Sequence, residues 1–347
     1  MNRTVVTTPL APAPASRPRS GNRRRLLALG SLALCTSAAT PLAALAQAAT
    51  DRPVRMVVAN PPGGPLDIVA RVIAEQLSAK WKQPVVVDNR PAGNGIVAAD
   101  MTAKSRPDGN TLLMTATFSE SILPYAAEKL PYNAERDLTP VTEIARVGFI
   151  LLVPSDSPVK TFQDFLAMAR SSTTPVSIGG LGRGSSLHLA WELINKGAGI
   201  RNVEYIAYQG PGQAQADLLG GRLSMIIDTF GSSRTFVENG RLRAIAITSA
   251  TRSAQQPAVP TLAEAGLKDF QIFPWIGLVA PSGTPPERVL AIQQAVAEAI
   301  AQPAVKARLE QFGFTPVGNS PSDMAATIRA ERARFAPLVK ELGISLQ

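Results

Sequence analysis

Two glycine-rich turns hold the residue types best suited to gripping a small anion. In Val54-Arg-Met-Val-Val-Ala-Asn-Pro-Pro-Gly-Gly-Pro-Leu-Asp67, an apolar run ends at Gly63 and Gly64 and feeds into Ile68-Val-Ala-Arg-Val-Ile-Ala-Glu-Gln-Leu77. The pattern predicts a buried strand, a tight turn and an amphipathic helix. A helix start leaves N–H groups without intrahelical partners at the positive end of the dipole, where an anion docks. Gly63 and Gly64 carry no Cβ, so a ligand can approach the main chain closely. The plainer reading is an ordinary strand-to-helix turn whose Asp67 caps backbone N–H groups. Gly63 and Gly64 are therefore taken as ligand neighbours and Asp67 as structural.

The second turn, Gly179-Gly-Leu-Gly-Arg-Gly-Ser-Ser-Leu-His188, repeats the design. Ser185 and Ser186 add hydroxyls, and Arg183 adds a cation that meets a distal ligand charge or points to solvent. The spacing lacks the dinucleotide-binding glycine pattern with its downstream acid, and no Walker lysine follows. His188 is the sole histidine of the chain. Three residues after Ser185, it admits a nucleophile-and-base reading, but one turn rarely supplies triad geometry and no orienting carboxylate is evident. A structural histidine is the expectation. With one histidine and the single Cys35, no transition-metal site is expected, and no cofactor is called for.

A third group is Tyr205-Ile-Ala-Tyr-Gln-Gly-Pro-Gly212 with Asp217-Leu-Leu-Gly-Gly-Arg-Leu-Ser-Met-Ile-Ile-Asp228. Tyr208 ends a strand before a Gly-Pro-Gly turn, where its hydroxyl could face a cleft or satisfy the loop. Asp228 ends an apolar strand, a position that in α/β sheets borders the ligand crevice. Trp275 and Phe273 offer an apolar floor or plain core.

The elements that must position these residues alternate along the chain, as in an α/β protein. Strands are predicted at 54–59, 85–87, 111–115, 148–153, 176–178, 203–207, 225–227, 244–248 and 275–280. Leu66, Val69, Val72, Ile73 and Leu77 make one helical stripe, and Val289, Ile292, Val296 and Ile300 another. Ser320-Pro-Ser-Asp323 reads as an N-cap, a proline at N1 and a capping acid, opening a long helix that contains Pro337. Val153-Pro-Ser-Asp-Ser-Pro158 and Ala280-Pro-Ser-Gly-Thr-Pro285 echo each other, as two chain crossings between domains would. The expected organisation is residues 51–151 with 277–347 as one domain and 152–276 as the second, with a small-molecule cleft between them.

The 347 residues suffice for two cores, and 45% are hydrophobic. The net charge of +9 is misleading: residues 1–49 hold six arginines and no acid, so the remaining 29 basic residues face 26 acidic ones. That balance does not call for nucleic acid. Arg23-Arg-Arg25, an apolar stretch from Leu26 to Ala46 and small-residue sites at Ala44-Leu-Ala46 and Ala46-Gln-Ala48 predict a cleaved signal peptide over residues 1–48. The arginines fit either a general secretory or a loose twin-arginine signal. Cys35 lies inside this segment, so the exported chain has no disulfide. Two anion-accepting helix starts in an exported protein suggest a receptor for a small carboxylate.

Taken in order, these pieces resemble the substrate-binding receptors of tripartite tricarboxylate transporters, the Bug-type extracytoplasmic solute receptors. The likeness runs through Pro61-Pro-Gly-Gly64 with Asp67, Val85-Val-Val-Asp-Asn-Arg-Pro-Ala-Gly93, Arg106-Pro-Asp-Gly109, Leu130-Pro-Tyr132, Gly182-Arg-Gly-Ser-Ser-Leu-His-Leu189, Tyr208-Gln-Gly210, Asp217-Leu-Leu-Gly-Gly221, Pro260-Thr-Leu-Ala-Glu-Ala-Gly266 and Pro281-Ser-Gly-Thr-Pro285. It implies a two-domain type II periplasmic-binding-protein fold, α/β with two crossing strands, that closes on its ligand by hinge motion. It further implies a small carboxylate held by main-chain amides, hydroxyls and bridging waters at Gly63, Gly64, Ser185, Ser186, Tyr208 and Asp228. Phe118 and Ser119 are added from the loop after Thr115. The implied partners are membrane transporter subunits, and a monomer is expected. Two departures stand out: Phe118-Ser-Glu-Ser-Ile-Leu-Pro124 replaces a Thr-His-Ala-Ile-Asn-Pro-like run, placing Glu120 near the presumed mouth, and Arg183 stands where a small or polar residue is common. The competing readings are a ligand sensor for a membrane kinase and an exported serine hydrolase using Ser185 or Ser186 with His188.

Overall fold

The alternating pattern condenses into two sheets, each covered by helices on both faces. The structure, a computed structural model, describes residues 52–346 except 269 and 271. The expected signal segment 1–48, with Cys35, lies outside the described residues. In chain order the elements are β1 (Val54–Val58), α1 (Pro65–Trp81), β2 (Val85–Asn89), α2 (Ile96–Ala103), β3 (Thr111–Ala116), a π-turn (Phe118–Ile122), α3 (Leu123–Ala126), β4 (Leu138–Val147) and β5 (Phe149–Pro154). Then come α4 (Phe162–Ser171), β6 (Val176–Leu181), α5 (Ser186–Ala198), β7 (Val203–Tyr208), α6 (Pro211–Leu219), β8 (Met225–Thr229), α7 (Phe230–Glu238) and β9 (Leu242–Ile247). The chain finishes with β10 (Trp275–Pro281), α8 (Pro286–Ala301), α9 (Pro303–Gln311), β11 (Phe314–Pro316) and α10 (Pro321–Glu341).

The six-stranded sheet has the order β11-β4-β10-β3-β1-β2, and the five-stranded sheet β7-β6-β8-β5-β9. β1 runs parallel to both neighbours and is buried on both faces, which is why Val54–Val58 reads as an unbroken apolar run. β10 is antiparallel to β3 and β4, and β5 is antiparallel to β8 and β9. The chain changes sheets at Gly148, between β4 and β5, earlier than the break expected after residue 151. It returns at Trp275, which pairs with Arg146, ahead of the expected residue 277. Strand register decides both points, and hydropathy does not record register. The Val147 N–H donates to the Pro274 carbonyl at 2.9 Å, tying the two passages together.

The predicted helical stripes face the cores. Val69 and Ile73 of α1 pack with Ile292 and Val296 of α8 against β1 and β3. α2 and α10 cover the opposite face through Ala98, Met324 and Ile328. In the five-stranded lobe, Phe165 and Trp191 fill one face, and Leu218 and Phe230 the other. Burying each such side chain contributes roughly 1.5–3 kcal/mol. A fifth cluster joins the lobes, with Leu189 of α5 meeting Ile122 of the π-turn and Phe335 and Val339 of α10. The α10 start carries the capping box foreseen at Ser320 and Asp323, with Pro321 in the first turn.

Candidate functional site

A cavity of about 490 Å³ opens where the sheets meet. Four helices begin on its wall: α1 through Gly63 and Pro65, α5 through Ser186, α6 through Pro211, and α7 through Thr229 and Gly231. Each start leaves first-turn N–H groups without intrahelical partners, and the macrodipole places partial positive charge there. In α1 the first intrahelical bond runs from the Ile68 N–H to the Gly64 carbonyl, so the Leu66 and Asp67 amides precede it. In α5 the first runs from Leu189 to Ser185, which leaves the Ser186 and Leu187 amides.

The two glycine corners share one brace. Gly63 adopts φ 80°, a left-handed conformation that favours glycine, and its N–H donates to Asp67 Oδ2 at 2.8 Å. Gly184 adopts φ 83°, and its N–H donates to His188 Nδ1 at 3.0 Å. In each case a side chain from the first helical turn reaches back four residues to occupy the glycine amide. Asp67 also accepts from Arg71 Nε and Asn89 Nδ2, each at 2.9 Å. Burial works to raise its pKa, but the Arg71 bond, the Gly63 N–H and the Asn89 amide together hold it below the usual carboxylate range.

This bracing revises several sequence expectations. The Gly63 amide is spent on Asp67, and the Gly64 amide on the Pro61 carbonyl. Gly63 lines the cavity, but the donors this corner can offer are the Leu66 and Asp67 amides. Ser185 is the N-cap of α5; its hydroxyl accepts from the His188 N–H and donates to the Leu181 carbonyl. Ser186 lies on the cavity wall, and among the described residues its hydroxyl has no partner. Arg183 is exposed and stands outside the cavity lining.

Asp228 reaches the wall at the end of β8, as its strand position suggested. Its oxygens accept from Thr229 N–H, Ser232 Oγ, Gln215 Nε2 and Ser233 Oγ, so it organises the α7 start. The Tyr208 hydroxyl, expected at the cleft, donates to Asp217 Oδ2 at 2.8 Å. The ring of Tyr208 lies against Gly179, which leaves its hydroxyl within reach of α6. Phe118 and Ser119 sit in the π-turn, Phe118 against the cluster between lobes and Ser119 beside Gly95. Neither lines this cavity.

Glu120 was expected near the mouth and is instead 2% exposed. The π-turn carries it inward, where Thr115 Oγ1 donates to it at 3.0 Å and Arg332 stands 4.0 Å away. Burial raises its pKa to about 7, against partial relief from Thr115 and Arg332. Glu331 lies nearby, accepting from Ser121 Oγ at 2.8 Å and Trp275 Nε1 at 2.9 Å, and burial raises it to about 7 too.

Sequence reasoning missed Pro65, Leu66, Pro211, Thr229, Ser232, Phe312 and Phe314 on the wall. The recurrent Gly-Pro pairs at Gly64-Pro65 and Gly210-Pro211 marked two helix starts. Phe312 and Phe314 left no local signal.

The family model for the tripartite tricarboxylate transporter family receptor matches residues 69–344. This chain belongs to that receptor family. The receptor is 34% identical to BugT of Bordetella pertussis over 332 residues, covering 94% of this chain and 100% of BugT. It is 37% identical to a UPF0065 protein in the tcbD-tcbE intergenic region of a Pseudomonas species, over 92% of this chain and 94% of that one. Among solved structures, an R. palustris protein with adipate superposes with TM-score 0.73 at 33% identity, covering 85% of this chain and 98% of that one. MatC from Rhodopseudomonas palustris with bound malate gives 0.68 at 29% identity, covering 83% and 99%. The receptor fold is thus the two-domain periplasmic-binding-protein architecture with two crossing strands.

Proposed function

We propose that this receptor works in the periplasm, captures a small carboxylate in the cavity between its sheets and presents it to the membrane subunits of a tripartite tricarboxylate transporter. The convergence of four helix starts on one cavity carries this reading, because aligned peptide dipoles stabilise an anion without a buried cation. Relatives solved with adipate and malate support the ligand class. The Leu66 and Asp67 amides, the Ser186 hydroxyl with the Ser186 and Leu187 amides, and the α7 start at Thr229 make the grip. Gly63, Gly64, Ser185, Tyr208 and Asp228 hold these groups in place. Residues 51–151 with 277–347, and 152–276, act as the two bodies that close. Residues 1–48 direct export and are removed, and the released protein is a monomer.

The hydrolase reading has lost its base. His188 Nδ1 accepts from the Gly184 N–H, and Nε2 faces Glu192 Oε1 at 3.4 Å, so neither ring nitrogen serves a serine hydroxyl. Titration calorimetry of the purified protein against mono-, di- and tricarboxylates tests the capture. Heat from none of them sinks it, and affinity that survives intact in Ser186→Trp moves the site out of this cavity. N-terminal sequencing of the periplasmic form and light scattering check the cleavage and the monomer.

A further inference from the structure

The cavity has a polar wall and an apolar floor, and the floor restricts what the carboxylate is attached to. Strand register builds it: Phe314 of β11 pairs with Val147 of β4, and Ile276 of β10 pairs with Ala116 of β3 and Ala145 of β4. Phe314, Val147, Ile276 and Ala116 therefore form a continuous apolar row across four neighbouring strand ends, and all four line the cavity. Phe312 adds a ring at one side.

No lysine, arginine or histidine is among the residues lining the cavity. Arg146, adjacent to Val147, bonds to Glu143 at 2.6 Å and lies 6.0 Å from the Phe273 ring. Arg234 of α7 bonds to Glu238 and the Gln311 carbonyl. The one carboxylate on the wall, Asp228, is itself an anion whose oxygens are fully engaged. A first carboxylate finds the helix starts and Ser186. A second, at the far end of the ligand, meets the apolar row, where a charge without a partner is strongly disfavoured.

We propose that the ligand is a monocarboxylate with an uncharged apolar remainder, aliphatic or aromatic, rather than a di- or tricarboxylate. The proposal rests on the cavity being the carboxylate site. Butanoate, hexanoate, phenylacetate, adipate and citrate, titrated calorimetrically into the purified protein, test it. Hexanoate and adipate share one carbon skeleton, so their ratio isolates the second charge. Hexanoate is expected to bind at least tenfold tighter than adipate or citrate, with phenylacetate close to hexanoate. Each methylene from butanoate to hexanoate should tighten binding about fourfold. Adipate or citrate binding as tightly as hexanoate overturns the proposal and leaves the carboxylate receptor standing. Silence from all five overturns the receptor reading as well. Phe312 is 39% exposed, so Phe312→Arg tests the floor without disturbing a core, and its melting curve verifies folding. The new cation should move the hexanoate-to-adipate ratio at least tenfold toward adipate, and an unchanged ratio removes Phe312 from the site.

Discussion

On the cavity side of the crossing strands, Asp67 collects donors from Gly63, Arg71 and Asn89, and Asp228 collects four from residues 215–233. Behind the π-turn, Glu120 has one hydroxyl donor and a guanidinium 4.0 Å away, while Glu331 has Ser121, Trp275 and a long contact to Thr117. All four acids are deeply buried, yet Asp67 lies below the usual carboxylate range and both glutamates rise to about 7. The number and charge of the donors separate them, not burial. Near the cavity the acids are fixed anions that lock helix starts in place. Behind it, the packing favours the protonated form.

The widest expected gap between these regions is in pH dependence. Glu120 and Glu331 have folded pKa values raised from 4.5 to about 7. Their contribution to stability is therefore complete below pH 4.5 and is lost as pH rises through 7. The shift bounds the loss at roughly 3 kcal/mol for each group. Asp67 has the opposite sign: its contribution is present above pH 3.8 and is lost as pH falls through its lowered folded value. Urea unfolding at pH 5 and pH 8 should show Glu120→Gln and Glu331→Gln gaining on the parent protein at pH 8 and little at pH 5. Parallel curves at both pH values would place the two glutamates with the donor-rich acids.

Next in size is removal of a brace. Asp67→Ala strands the Gly63 N–H and the Asn89 amide, while Arg71 is half exposed and returns to water. A buried donor left unpaired costs about 1–3 kcal/mol, so a loss of roughly 3 kcal/mol is expected in chemical denaturation. Asp67→Asn keeps an acceptor oxygen and should lose less than half as much. Equal losses would mean that the charge, rather than the accepted bond, holds the first corner.

His188→Ala should cost somewhat less, roughly 2 kcal/mol, because one amide is stranded and the ring contact to Tyr205, 4.7 Å between centroids, disappears. Carboxylate affinity should fall with it as the α5 start loosens. Retained affinity together with lost stability would show that the second corner needs no brace to bind.

Much of this arrangement was legible in the residues, because strand and helix periods are local. Val54–Val58, the α1 stripe and the Ser320 capping box all announced themselves. β4 did not: its Thr142 and Glu143 are fully buried, and the partner that satisfies them, Asn319, is remote in sequence. A polar strand in a core looks like a surface loop until that partner is known. β11 has three residues and ends in proline, so the row from Phe314 to Ala116, set by its pairing, was hidden too. Gly63 and His188 were noticed for the right reason, their rarity of type, but their roles depend on where their hydrogen bonds go.

The smallest effect separates the corners by what stands beside each glycine. An alanine Cβ at Gly63 would have nothing within 4 Å, whereas at Gly184 it would meet Ile344 and Leu346 at 3.2 Å. Both carry the strain of a positive φ, about 1 kcal/mol for a non-glycine residue. Gly63→Ala should therefore lose about that amount, while Gly184→Ala adds the displacement of the C-terminal segment, whose Leu346 N–H donates to the Ala126 carbonyl at 2.8 Å. Hydrogen exchange at Leu346 reports that displacement directly. It should quicken in Gly184→Ala and stay unchanged in Gly63→Ala, since only the α5 corner is packed against the end of the chain.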